Sequence, residues 1–152
     1  MIIRKASLND VEKMHQLVNN YAEGGVMLSR PRSMLYECIR DFAVVEIDGE
    51  IVGTGALHIM WIDLAEIRAL AVKDGYTRQG IGRMLVEYLL DEAKKLQIPK
   101  VFALTYQTGF FERMGFSVIN KENLPQKVWQ ECINCPKFPN CDEICVERNI
   151  DI

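Results

Sequence analysis

Apolar residues recur at helical spacing in two long stretches of this chain, with short apolar runs before, between and after them. Ile2 to Ala6 reads as a first strand. Val11, Met14, Leu17, Val18 and Tyr21 then fall on one face of a helix. Ser7 stands three residues before Asp10, a capping arrangement that predicts where this helix begins, and Gly24-Gly25 predicts where it stops. Val26 to Arg32 reads as a connection. Met34, Leu35, Cys38, Ile39 and Phe42 trace a second, shorter helical face.

From Ala43 the period changes. Asp48-Gly49 between two apolar runs is a hairpin signal, joining Ala43–Ile47 to Glu50–Met60. Trp61 to Asp63 turns the chain again into Leu64–Val72, which completes an antiparallel meander. Met84 to Leu96 is the second long amphipathic run, and Pro99 limits its extension. Val101–Thr105 reads as a strand, Gly109–Met114 as a short helix and Phe116–Ile119 as a last strand. No repeats or low-complexity segments appear. This order predicts an α/β protein: a mixed, mostly antiparallel sheet with helices on both faces.

Composition narrows the functional classes. The 152 residues make one domain by size, and 49% hydrophobic with 26% charged residues is an ordinary globular balance. A net charge of -3 with no local basic run argues against a nucleic-acid partner. No apolar stretch reaches membrane-spanning length and the N-terminus has no long apolar segment, so the expectation is a soluble cytoplasmic protein without a membrane partner. Of five cysteines, Cys132, Cys135, Cys141 and Cys145 crowd the last part of the chain. Four thiolates could hold a structural zinc. One Cys-x2-Cys with a five-residue gap is less specific than a paired framework, so a tail of free, partly buried thiols is preferred.

The stretch Thr77-Arg78-Gln79-Gly80-Ile81-Gly82-Arg83 lies between a predicted strand and a predicted helix. The first N–H groups of such a helix lack intrahelical acceptors and point outward together, and the helix dipole adds to the attraction for an anion. A phosphate-binding Walker loop would need Lys and Ser or Thr after Gly80, where Ile81-Gly82 stand. A dinucleotide fingerprint would need a small residue at Leu85.

What remains resembles the pyrophosphate loop of the GNAT N-acetyltransferase family, with Thr77 at a position usually held by Arg or Gln. The order of elements over roughly residues 1 to 120 is similar to that family's as well. The resemblance implies acetyl-CoA as co-substrate, its pyrophosphate held by N–H groups from Arg78, Gln79, Gly80, Ile81, Gly82 and Arg83. It also implies a thioester carbonyl polarised by a backbone N–H among Leu70, Ala71 and Val72 on the fourth strand. The amine must lose a proton before it attacks, and Glu66, within an apolar strand, is the candidate base. Arg68 lies two residues along on the same face and could instead hold Glu66 in an ion pair. The tyrosine that often protonates the departing thiolate is replaced by Phe111, which leaves Tyr106 or Thr105 as candidate acids. Tyr106 could equally be a wall of the cofactor groove.

Runs such as Leu28-Ser29-Arg30, Gly55-Ala56-Leu57-His58, Ala65-Glu66-Ile67-Arg68, Leu104-Thr105-Tyr106-Gln107 and Leu124-Pro125-Gln126-Lys127 look like the short, single-domain N-acetylglutamate synthases. By that resemblance the acceptor is glutamate, a small amino-acid substrate, with Arg30 and Lys127 holding its two carboxylates and Arg68 close by. Arg30 and Arg32 flank Pro31 before the second helix, where the dipole disfavours cations by about 0.3 to 1 kcal/mol each. The acetyltransferase domain is expected over residues 1–130, with 131–152 a cysteine-rich tail packed on it, and a homodimer is compatible with the sequence. Two rivals stay open: a different amine acceptor, and a silent acyl-CoA sensor, for which Phe111 is the best support.

Overall fold

In a computed structural model, residues 1–23, 31–77, 79–120, 122 and 143–151 are described, the side chains of 21–23 excepted. The elements are β1 (Ile2–Lys5), α1 (Val11–Glu23), α2 (Arg32–Glu37), β2 (Phe42–Ile47), β3 (Glu50–Trp61), β4 (Leu64–Val72), α3 (Ile81–Lys95), β5 (Lys100–Thr105), α4 (Thr108–Arg113), β6 (Ser117–Ile119) and β7 (Ile144–Asn149). The strands form one seven-stranded sheet in the order β1-β2-β3-β4-β5-β7-β6. Every neighbouring pair is antiparallel except β4 with β5. A mixed, mostly antiparallel sheet was the expectation, and it holds.

Two cores lie on opposite faces of this sheet, and strand alternation decides which residues enter each. On one face α1 buries Val11, Met14 and Val18 against Leu35 of α2, Phe42 and Val44 of β2 and Ala56 of β3. On the other, α3 lays Ile81, Leu85, Val86, Leu89, Leu90 and Ala93 on Ala43, Val45, Leu57, Ala65 and Ile67, with Phe111 of α4 alongside. These are the i, i+3, i+4 rows that the sequence displays, so the amphipathic stripes chose the faces.

Two differences from the sequence reading concern the site. The second helix begins at Arg32, which had been placed in the connection. The sheet does not end at Ile119: residues 144–149, read as part of a tail, form β7 and separate β6 from β5. Cys145 and Val146 are neighbours in β7 and are both fully buried. One enters a cluster with Leu64 and Phe102 and the other enters the α3 core. Because the two buried residues of β7 are adjacent and enter opposite faces while the rest of the strand is more open, it shows no apolar-polar alternation, and so its pattern was silent.

Candidate active site

Strand β4 organises the site. Its pairing with β3 slips by one residue, from Thr54 opposite Ala71 to Ala56 opposite Arg68. The extra residue belongs to β4, where Ala69 takes φ 53°, the left-handed region that residues with a side chain seldom occupy. A bulge of this kind bends its strand and increases the local twist. On the other side of β4, the described pairing with β5 comprises only Ala65 with Val101 and Glu66 with Phe102. Both strands continue, β4 to Val72 and β5 to Thr105, so they diverge from that last rung and leave a wedge between them.

The N-terminus of α3 stands at the open end of this wedge. A Cβ built on Gly82 would lie 3.5 Å from the ring of Phe110 on α4 and 3.9 Å from Cγ2 of Val72 at the end of β4. Gly80 is the N-cap at φ 77°, ψ 10°, a conformation suited to glycine, and no side chain caps the helix there. The first intrahelical bond runs from Met84 N–H to Gly80 O at 2.9 Å. Helix geometry therefore leaves the N–H groups of Ile81, Gly82 and Arg83 without intrahelical acceptors, an arrangement that fits a pyrophosphate. The helix starts at Ile81, three residues ahead of the amphipathic run Met84 to Leu96. Gln79 reaches Gly75 O with Nε2 at 3.5 Å, and the exposed Arg83 pairs with Glu87 at 2.9 Å. Arg78 lies outside the described residues.

At the closed end of the wedge is a buried ion pair. Glu66 is 5% exposed, and its Oε1 accepts a hydrogen bond from Arg68 Nε at 2.5 Å. Arg68 also places Nη2 3.8 Å from Sδ of Met60. The pairing that the sequence offered as the alternative role of Glu66 is thus present. A carboxylate offers about four lone-pair directions, so one bond from Arg68 does not exhaust it. Across the β3–β4 ladder, Glu66 faces His58. His58 Nδ1 lies 2.8 Å from Oδ2 of Asp41 in the turn before β2. The row Asp41, His58, Glu66, Arg68 runs across the α1 face of the sheet. Sequence reasoning did not single out Asp41 or His58 as functional. The available signal was the hairpin at Asp48-Gly49: counting pairs back from Ile47 with Glu50 brings position 41 opposite position 56, and the one-residue slip between Val45 and Glu46 in the structure moves it beside 57.

The remaining candidates are less completely assembled. Thr105, 9% exposed at the end of β5, accepts a hydrogen bond on Oγ1 from Gln107 N–H at 2.8 Å, so its hydroxyl shapes the turn into α4. Tyr106 is half-buried in that turn. Phe111 is a core residue, edge-on to Phe110 and Phe116 with ring centroids 5.1 Å away in each case. Leu70, Ala71 and Val72 follow the bulge along the wedge. Arg32 is engaged by Glu12 of α1 through both carboxylate oxygens, at 2.9 and 3.0 Å, and this neighbour offsets its unfavourable place at a helix start. Arg30, Lys127, Cys132, Cys135 and Cys141 lie outside the described residues. Cys145 is buried in the apolar cluster of β7. Among the described residues no helix is long and apolar enough to cross a membrane, and no three metal-ligating side chains converge.

A bulged strand parting from its parallel neighbour, with an uncapped, glycine-bearing helix start at the mouth, suits an extended acyl thioester that carries a pyrophosphate. The chain belongs to the acetyltransferase (GNAT) family, whose sequence profile matches residues 11–116, and it is an acetyl-CoA-dependent N-acetyltransferase. It is 40% identical over 148 residues to an N-acetyltransferase of Chlorobaculum tepidum, covering 97% of this chain and 96% of that one. It is 41% identical over 133 residues to the amino-acid acetyltransferase of Mycobacterium tuberculosis, 86% of this chain and 76% of that one. Among solved structures, N-acetylglutamate synthase from Neisseria gonorrhoeae, complexed with coenzyme A and N-acetyl-glutamate, superposes with TM-score 0.91 at 26% identity. That match takes in 99% of this chain and 35% of the synthase.

Proposed function

We propose that this protein transfers the acetyl group of acetyl-CoA to the α-amine of an amino acid, with L-glutamate the preferred acceptor, as the cytoplasmic N-acetylglutamate-forming step of arginine biosynthesis. The observation that carries the reading is the Glu66–Arg68 pair, buried at the closed end of the wedge. It sets a carboxylate and a cation beside each other on the strand that flanks the thioester channel. That combination suits an amino acid, which brings both an amine and a carboxylate. The amino-acid acetyltransferase at 41% identity and the synthase structure with N-acetyl-glutamate support the same acceptor class.

In this reading the N–H groups at the start of α3 hold the pyrophosphate, and a backbone N–H among Leu70, Ala71 and Val72 polarises the thioester carbonyl. Glu66 takes the proton of the ammonium, directly or through one water, and the freed amine attacks. As the carbon–nitrogen bond forms and the carbon–sulfur bond breaks, Tyr106 or Thr105 gives a proton to the departing sulfur and recovers one, directly or through water, from the acetylated nitrogen, which is left as a neutral amide. Arg30 and Lys127 hold the carboxylates of glutamate, with Arg68 steadying Glu66 beside them.

A thiol-release assay with acetyl-CoA and a panel of free amino acids tests the reading. Glutamine keeps the shape of glutamate and gives up one charge. Losing one charge-assisted hydrogen bond costs about 1.5 to 3 kcal/mol, so glutamate should be favoured over glutamine by roughly ten- to a hundredfold in kcat/KM. Equal specificity constants for glutamate, glutamine and leucine would overturn the glutamate assignment and leave the acetyltransferase itself standing.

A further inference from the structure

Glu66 is almost enclosed, and a proton delivered to it needs a way out before the next turnover. The structure holds a group suited to that task one strand away. His58 is the direct cross-strand partner of Glu66 in an antiparallel ladder, so both side chains project from the same face, with Cβ atoms about 4.5 to 5.5 Å apart. The His58 side chain is 32% exposed, whereas the Glu66 side chain is 7% exposed, so the histidine is the more open of the two to water. Its Nδ1 sits 2.8 Å from Oδ2 of Asp41. A carboxylate in that place makes Nδ1 the donor and leaves Nε2 with its lone pair directed away from Asp41. The arrangement fixes both tautomer and ring orientation, as an orienting carboxylate does wherever an imidazole moves protons.

We propose that Asp41 and His58 form a proton exit for Glu66. The inference rests on the acetyl-transfer reading above. In each turnover the acceptor ammonium gives one proton to the Glu66 carboxylate, which frees the amine to form the new carbon–nitrogen bond. The proton then passes, directly or over one water, to His58 Nε2, and the Glu66 carboxylate is restored. The imidazolium is stabilised by Asp41, which stays ionised, and releases its proton to bulk water. No electrons change hands, and each turnover returns Glu66, His58 and Asp41 to their starting forms. His58 does not touch the acceptor. It acts through Glu66, and Asp41 acts through His58, so both are positioning residues for the base.

The test uses the thiol-release assay on the full chain. His58→Ala should lower kcat at least tenfold while the KM values for acetyl-CoA and the amino acid stay within about twofold, since the exit serves turnover and not binding. Added imidazole should restore much of the lost rate, because the vacated position is open to water. Asp41→Asn should also lower kcat, by several-fold, and imidazole should not rescue it, since the histidine still fills its place in an unfavourable tautomer. Unchanged kcat in His58→Ala would overturn the proposal. So would a loss confined to the KM of the amino acid, which would make His58 a substrate contact. If His58→Ala loses its fold, shown by a collapsed melting transition, the Asp41→Asn rate decides, and full activity there overturns the exit. A wild-type protein that releases no thiol with any amino acid would overturn the transfer reading and the exit together. Failure of the exit alone shows as full activity in the variants.

Discussion

Asp10 joins three pieces of backbone at the start of the chain. Its carboxylate takes both terminal nitrogens of Arg4 on β1, at 2.8 and 3.0 Å, and the backbone N–H of Ser7 at 2.7 Å. The capping arrangement read from Ser7 and Asp10 is therefore real, and Arg4 is the part that the local sequence did not announce. The hydrogen bonds from Arg4, ahead of those from Ser7, hold the Asp10 carboxyl down at about 2, against the partial opposition of burial. A depressed carboxylate stabilises the fold above its unfolded value, near 4, and loses that contribution as pH falls through the folded value. Asp10→Asn should accordingly be less stable than the wild type at neutral pH. The gap should close as pH falls from about 4 to about 2, and urea unfolding at a series of pH values measures it. A gap that stays constant across that window would mean that Asp10 contributes shape and not charge. Glu66 is the contrasting residue. Its cation, Arg68, stands only two positions along β4, and the pair is buried where β4 and β5 cease to pair.

At the scale of elements, the start of α3 meets both the wedge and α4. The sequence put Gly82 in the turn where an anion is expected to approach the backbone, and the structure adds that a Cβ there would meet Phe110 and Val72 at ordinary contact distance, so that only a larger, branched side chain would crowd them. Gly82→Val would force branched carbons toward that ring and shift the first turn of the helix. The KM for acetyl-CoA should then rise at least tenfold, with a much smaller change in the KM for the amino acid, as read by steady-state kinetics in the same assay. Equal rises in both would mean that the whole domain had been disturbed. The β3–β4 bulge is a second element-scale device. Ala69 is held in a left-handed conformation that costs about 1 to 2 kcal/mol, and it persists because Ala69 is buried between the strands and α1. The bulge bends β4 just beyond its last rung with β5, Glu66 with Phe102.

For the whole molecule, β7 ties the second half of the sheet together. It pairs with β5 along Lys100 to Thr105 and with β6 along Ser117 to Ile119. A chain ending at residue 143 would lose the buried side chain of Val146, worth about 1.5 to 3 kcal/mol, the smaller buried thiol of Cys145, and every ladder bond to β6. Since the total stability of a domain is only about 5 to 15 kcal/mol, such a chain should show no cooperative melting by circular dichroism. A melting temperature equal to that of the full chain would refute this. The sequence by itself determined the meander, the two amphipathic helices and the glycine turn that opens α3, because each is written in local periodicity or in residues whose backbone preferences act over a few positions. It also placed Glu66 and Arg68 on one face, since a period of two needs only one strand. Only the tertiary structure decided that β7 would enter the sheet, that the bulge would part β4 from β5, and that Asp41 would reach His58 beside Glu66. Those outcomes depend on register and on burial from both faces, which arise from pairings between distant segments and leave no periodic trace in either one.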